Sequence, residues 1–138
     1  MRRGKAFLLR ARKIEQKTDA ALQKVELYRS MTERITAKLQ KDSVSHSRNV
    51  TANENAIIRY MEAKEEVRKL SAEYEQVVND ILSVLASMEN PSHVKLLTEL
   101  YLLNQTVKSV AKREHVTLAC LYKRCNRALT ELETLLTP

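Results

Sequence analysis

Residues 90 to 136 read NPSHVKLLTELYLLNQTVKSVAKREHVTLACLYKRCNRALTELETLL, and the punctuation of this stretch decides the fold. Asn90-Pro91 opens a helix: Asn accepts from the free N–H groups of a first turn, and Pro is tolerated at the first helical position but not further in. Val94, Leu97, Leu100, Tyr101 and Leu103 then recur at helical spacing as far as Asn104, a residue that accepts the left-handed conformation common after a helix. Thr106 caps a very short helix from Val107 to Glu114, with Val107, Val110 and Ala111 facing inward. After a break at His115 and Val116, Thr117 caps a long helix from Leu118 to Leu135.

A short helix, a tight turn and a capped second helix form a helix-turn-helix, whose second helix has the width of the DNA major groove. Its inward residues are Leu121, Cys125, Ala128, Leu129 and Leu132. That pattern leaves Leu118, Ala119, Tyr122, Lys123, Asn126 and Arg127 outward, a mixture of apolar tip, hydrogen-bonding groups and cations suited to base edges and phosphates. From Thr106 to Arg127 the basic residues are Lys108, Lys112, Arg113, Lys123, Arg124 and Arg127, against Glu114 as the one acid. The candidate DNA-binding set is therefore Lys108, Lys112, Arg113, Thr117, Leu118, Ala119, Tyr122, Lys123, Asn126 and Arg127.

Leu96-Leu97-Thr98-Glu99-Leu100-Tyr101-Leu102, then Thr106 to Ala111, Val116-Thr117 and Arg127-Ala128-Leu129 resemble the helix-turn-helix of sigma factor region 4 over residues 91–136. With the helices that precede it, the chain is similar to small phage and prophage proteins of Gram-positive bacteria, the late-gene transcription regulators of the ArpU and RinA type. The resemblance implies that Thr117 to Arg127 reads DNA and that neighbouring helices touch RNA polymerase. Ser109 departs from the acidic residue usual in that family, and His115 from the common Gly of the turn.

Upstream, Phe7, Ala11, Ile14, Thr18, Ala21, Val25, Tyr28, Thr32, Ile35 and Leu39 alternate spacings of four and three, a heptad seam that predicts a coiled-coil helix. Lys41 to Asn53 breaks the pattern with polar residues and reads as a loop, with Thr51 or Asn53 capping the next helix. That helix has a seam of Ile57, Tyr60, Lys64, Val67, Ser71, Tyr74, Val78, Ile81, Leu85 and Met88. The expected architecture is all-α: a long antiparallel helical hairpin over 1–89 for oligomerisation, then a DNA-binding helix-turn-helix over 90–138. Ala56, Ala63, Leu70, Val77 and Val84 add a second stripe at intervals of seven, too wide for one partner helix. A homodimer through the hairpin is the favoured way to cover it, the alternative being the C-terminal module of the same chain.

Composition narrows the function. One Gly and two Pro in 138 residues leave no phosphate-cradling loop, and 4% aromatic content with no Trp argues for an aliphatic core between helices. The three His are far apart, Cys120 and Cys125 lack a paired base and cannot bridge each other on one helix, and the Glu65-Glu66 and Glu73/Glu75 pairs read as solvated charge. No enzyme, metal or cofactor is expected. No apolar run reaches the roughly 20 residues of a membrane span, so a cytoplasmic protein is expected, bound at the nucleoid of a bacterial host when it engages DNA. The formal charge of +7 is uneven: residues 1–41 hold 12 basic and 4 acidic side chains, 42–90 hold 5 and 9, and 91–138 hold 7 and 4. The basic first helix and acidic second helix can pair electrostatically, the favoured account of the first helix's charge, with direct DNA contact by that helix as the alternative.

The reading is a sequence-specific, double-stranded-DNA-binding transcription regulator that dimerises through its hairpin. The alternatives are a packaging protein resembling a terminase small subunit, whose DNA module more often precedes its coiled coil, and an interaction protein that contacts RNA polymerase without reading DNA.

Overall fold

The computed structural model describes the backbone of residues 2–41 and 46–136 and the side chains of residues 3–38 and 52–136. Its elements are all helical: α1 (Arg2–Lys41), α2 (His46–Leu85), α3 (Pro91–Leu97), a π-helical turn (Thr98–Leu102), α4 (Val107–Arg113) and α5 (Leu118–Leu136). No strand occurs among the described residues. Within them no helix is long and apolar enough to cross a membrane.

The chain divides into two compact units, residues 1–14 with 74–138, and residues 15–73. α1 and α2 contribute to both. In the first unit one core cluster gathers Leu8, Ala11 and Ile14 of α1, Val77, Ile81 and Leu85 of α2, Met88, Leu97 of α3, and Ala128, Leu129 and Leu132 of α5. Gly4, the only glycine in the sequence, permits close approach. Its N–H donates to Glu133 Oε2 at 2.6 Å. A Cβ there would stand 3.1 Å from Glu133 Oε2, tighter than an ordinary contact, and 3.4 Å from Leu132 Cδ2. A smaller cluster of Leu96, Leu100, Val110, Ala111, Leu121 and Cys125 ties α3 and the π-helical turn to α4 and α5.

In the second unit, Lys24 Nζ lies 3.5 Å from Glu66 Oε2, and Thr36 Oγ1 donates to Asn53 Oδ1 at 3.3 Å. The expected loop from Lys41 to Asn53 is a correction. α1 continues to Lys41 and α2 is helical from His46, which places Thr51 and Asn53 inside a helix instead of at its cap. Polar residues cost only a few tenths of a kcal/mol each in a helix interior, so a polar stretch alone does not end one. Residues 42–45, and the side chains of Leu39 and Thr51, lie outside the described residues.

The heptad seam of α1 is inward or half-buried from Phe7 to Ile35, but it omits Leu8, which is completely buried. Leu8 shares its cluster with Ala128, Leu129 and Leu132, a second packing partner that a two-helix period cannot encode. Both stripes expected for the second helix contribute inward residues. Ile81, Leu85 and Met88 of the seam are buried and Tyr60, Val67, Tyr74 and Val78 half-buried, while its Ile57, Lys64 and Ser71 are exposed. In the second stripe Ala56, Ala63 and Val77 are buried and Leu70 and Val84 half-buried. Ala56, Ala63 and Val77 of the second stripe are thus covered within one chain.

Candidate nucleic-acid interface

Three side-chain caps cut the C-terminal third into helices. Asn90 Oδ1 accepts from the Ser92 N–H at 2.9 Å, Thr106 Oγ1 from the Ser109 N–H at 3.0 Å, and Thr117 Oγ1 from the Cys120 N–H at 3.1 Å. Each satisfies a donor that the first turn of a helix leaves without a backbone partner. Both breaks between helices use a left-handed residue, Asn104 with φ 56° and His115 with φ 57°. At the second break the Val116 N–H returns to the Ala111 carbonyl at 3.0 Å and the His115 N–H to Lys112 at 3.3 Å, closing the end of α4 before Thr117 starts α5. His thus supplies the conformation that Gly would otherwise provide.

α5 is amphipathic in the manner its sequence demands. Leu121, Cys125, Ala128, Leu129 and Leu132 are all buried. On its other side Leu118 and Tyr122 are 46% and 54% exposed, and Thr117, Ala119, Lys123, Asn126 and Arg127 are exposed with them. On α4, Val110 and Ala111 are buried and Lys108 and Lys112 exposed. The first three turns of α5 therefore present a methyl (Ala119), a phenol, an amide and cations, with the exposed α4 lysines Lys108 and Lys112 on the preceding helix. Leu103 is 61% exposed whereas its periodicity makes it inward. The π-helical turn explains this, because its wider winding slips the phase between Leu100 and Leu103.

Arg113 differs from the other cations of the candidate set. Its guanidinium donates to Glu99 Oε2 at 2.5 Å, to Gln105 Oε1 at 3.0 Å and to Glu114 Oε1 at 3.3 Å. The Glu99 side chain is 11% exposed, so Arg113 neutralises a carboxylate that sits at the edge of the smaller core. It fastens α4 to the π-helical turn, leaving Lys108, Lys112, Lys123, Arg124 and Arg127 with no carboxylate within ion-pair distance among the described residues.

Two further anchors hold the surrounding helices. Arg12 Nη2 donates to the Leu100 carbonyl of the π-helical turn at 2.9 Å and its guanidinium lies 5.9 Å from the centroid of the Tyr101 ring. Glu131 of α5 accepts from the Glu89 and Asn90 N–H groups at 2.8 and 3.3 Å, and its Oε2 lies 2.5 Å from His93 Nδ1. The hydrogen bond from His93, then those backbone donors, hold its carboxyl below the usual carboxylate range. Arg12 and Leu100 are 88 residues apart, and His93 and Glu131 are 38 apart, so no local pattern announces either pair.

Among the described residues no three His, Cys, Asp or Glu side chains gather as a metal site. Burial pushes the Cys125 thiol up, away from the reactive thiolate. No family model, curated protein or solved structure gives a significant match to this chain.

Proposed function

We propose that this protein is a sequence-specific regulator that inserts the start of α5 into the major groove of double-stranded DNA. α4, its left-handed turn and α5 are read as a helix-turn-helix, and α1 and α2 as an antiparallel hairpin through which two copies associate. The observation that carries the reading is the exposed face of Leu118, Ala119, Tyr122, Lys123, Asn126 and Arg127 at the Thr117-capped end of a helix whose opposite face is buried. An exposed apolar and hydrogen-bonding tip is what direct readout of base edges uses, and uncompensated cations beside it supply phosphate contacts. The resemblance of residues 91–136 to sigma factor region 4 supports the same assignment.

Lys108, Lys112, Lys123 and Arg127 are the phosphate contacts in this reading, while Arg113 positions α4. The test is duplex binding by fluorescence anisotropy across a salt series, using genomic fragments selected by the protein. Lys123→Ala with Arg127→Ala weakens binding and flattens the slope of log K against log salt by about two units. Equal affinity and an unchanged slope would refute the assignment of the face.

A further inference from the structure

The π-helical turn from Thr98 to Leu102 runs against the period of its own sequence. Leu96, Leu100 and Leu103 are spaced four and three apart, so an α-helical winding puts Leu103 on the face of Leu96 and Leu100, both buried. Leu103 is instead exposed. Two backbone bonds carry the wider winding: the Leu103 N–H donates to the Thr98 carbonyl, five residues back, and the Gln105 N–H to the Glu99 carbonyl, six residues back, each at 2.9 Å. Leaving a leucine in water is unfavourable, so this winding needs a compensating contact from outside the turn.

Arg12 makes that contact. It is half-buried on the part of α1 that belongs to the same compact unit. Its Nη2 donates to the Leu100 carbonyl at 2.9 Å, and its guanidinium lies against the Tyr101 ring. Leu100 falls in the last turn before the break at Asn104, where carbonyls run out of helical N–H groups and take donors from elsewhere. A charged donor makes the stronger kind of hydrogen bond. The residue before it, Glu99, is held from α4 by Arg113, whose guanidinium also donates to Gln105. The turn is thus a joint gripped by α1 at Leu100 and by α4 at Glu99.

We infer that Arg12 is a positioning residue: its hold on the Leu100 carbonyl keeps residues 98–102 in the π winding, and that winding sets α4 beside the DNA-reading helix. Without the guanidinium the turn rewinds to bonds four residues back, rotating Leu103 by about 100°, one residue's advance, toward the face of Leu96 and Leu100. Rewinding also changes the spacing between Glu99 and Gln105, the two residues that Arg113 grips together. The positioning role rests on the DNA-binding reading above; the winding does not.

The test is Arg12→Met, which keeps an unbranched stem without a donor, beside Arg12→Lys, which keeps a charged donor. Both are made in the full chain carrying Cys120→Ser and Leu103→Cys, so that the thiol at position 103 is labelled by a soluble maleimide while Cys125 stays buried. Arg12→Met is expected to slow labelling at least about threefold as the side chain turns inward, and Arg12→Lys to keep the parent rate within about twofold. A loosened or unfolded turn labels faster, so a rate unchanged or raised by Arg12→Met overturns the inference, as does a Lys variant as slow as the Met variant. Duplex binding with the natural cysteines and Leu103 in place reads the positioning role. Arg12→Met is expected to lower the ratio of specific to non-specific affinity about tenfold at an unchanged salt slope. An unchanged ratio overturns the positioning role, and a slope lower by about one unit overturns it in favour of a phosphate contact. If the unaltered chain binds no duplex, the DNA-binding reading and the positioning role fail together, while the labelling rates still decide the winding.

Discussion

Arg113→Ala separates a cation that binds DNA from one that builds the site. The substitution removes three hydrogen bonds, to Glu99, Gln105 and Glu114, and leaves Glu99 without its counter-ion. Removing one partner of a fully buried ion pair costs about 3–5 kcal/mol, but the Arg113 side chain is 45% exposed and water can reach the vacated position. The loss expected comes from the stranded Glu99 carboxylate, 11% exposed, for which a largely desolvated group deprived of its bond costs about 1–3 kcal/mol. Urea denaturation followed by circular dichroism measures it as a lower midpoint at unchanged m-value. Replacing Glu99 by Gln in the Arg113→Ala background removes the stranded charge and recovers part of the stability, so the two substitutions together cost less than their sum. Duplex affinity falls because α4 is loosened, but the salt slope stays within half a unit of the parent. A variant of full stability whose slope drops by about one unit would falsify this account and return Arg113 to the phosphate contacts.

Acid weakens the junction of α3 and α5. The carboxyl of Glu131 is depressed in the folded state, so its contribution is complete above its unfolded pKa, near 4.3 for a free Glu, and is lost as pH falls through the folded value. Thermal melts between pH 3 and 6 should show this loss, and Glu131→Gln should lower stability at pH 6 while making that stretch of the pH profile shallower; parallel profiles contradict it. Leu132→Ala, at a fully buried position between α1, α2 and α5, should cost about 2–5 kcal/mol in urea, and a cost under 1 kcal/mol would mean the cluster can collapse around the gap. His115→Gly should raise stability by about 1 kcal/mol, because φ 57° strains a side chain that bears a Cβ; an unchanged or lower melting temperature shows that the imidazole contributes more than the strain removes.

Local chemistry was readable wherever a single turn of chain decided the outcome. Asn90, Thr106 and Thr117 cap because a short oxygen-bearing side chain at those positions meets the donors of the next turn, whatever packs elsewhere. The buried and exposed faces of α5 likewise follow from period alone, since one helix contributes both. The Glu99 partner of Arg113 was not legible, because composition counts a cation but not the carboxylate that folding brings to it. Leu103 was misread because a π-helical turn changes the period in mid-helix with no residue in the sequence to mark it.

The sequence by itself therefore determined the helical class, the places where helices start in the last third, and the chemistry of the face that α5 turns outward. These depend on contacts within a few residues, whose energies are set by residue type. Only the tertiary structure decided which members of the two α2 stripes are buried, that Leu8 is completely buried, and which cations are already paired. Those outcomes depend on what distant segments bring to the same point, and a period or a charge count carries no record of that.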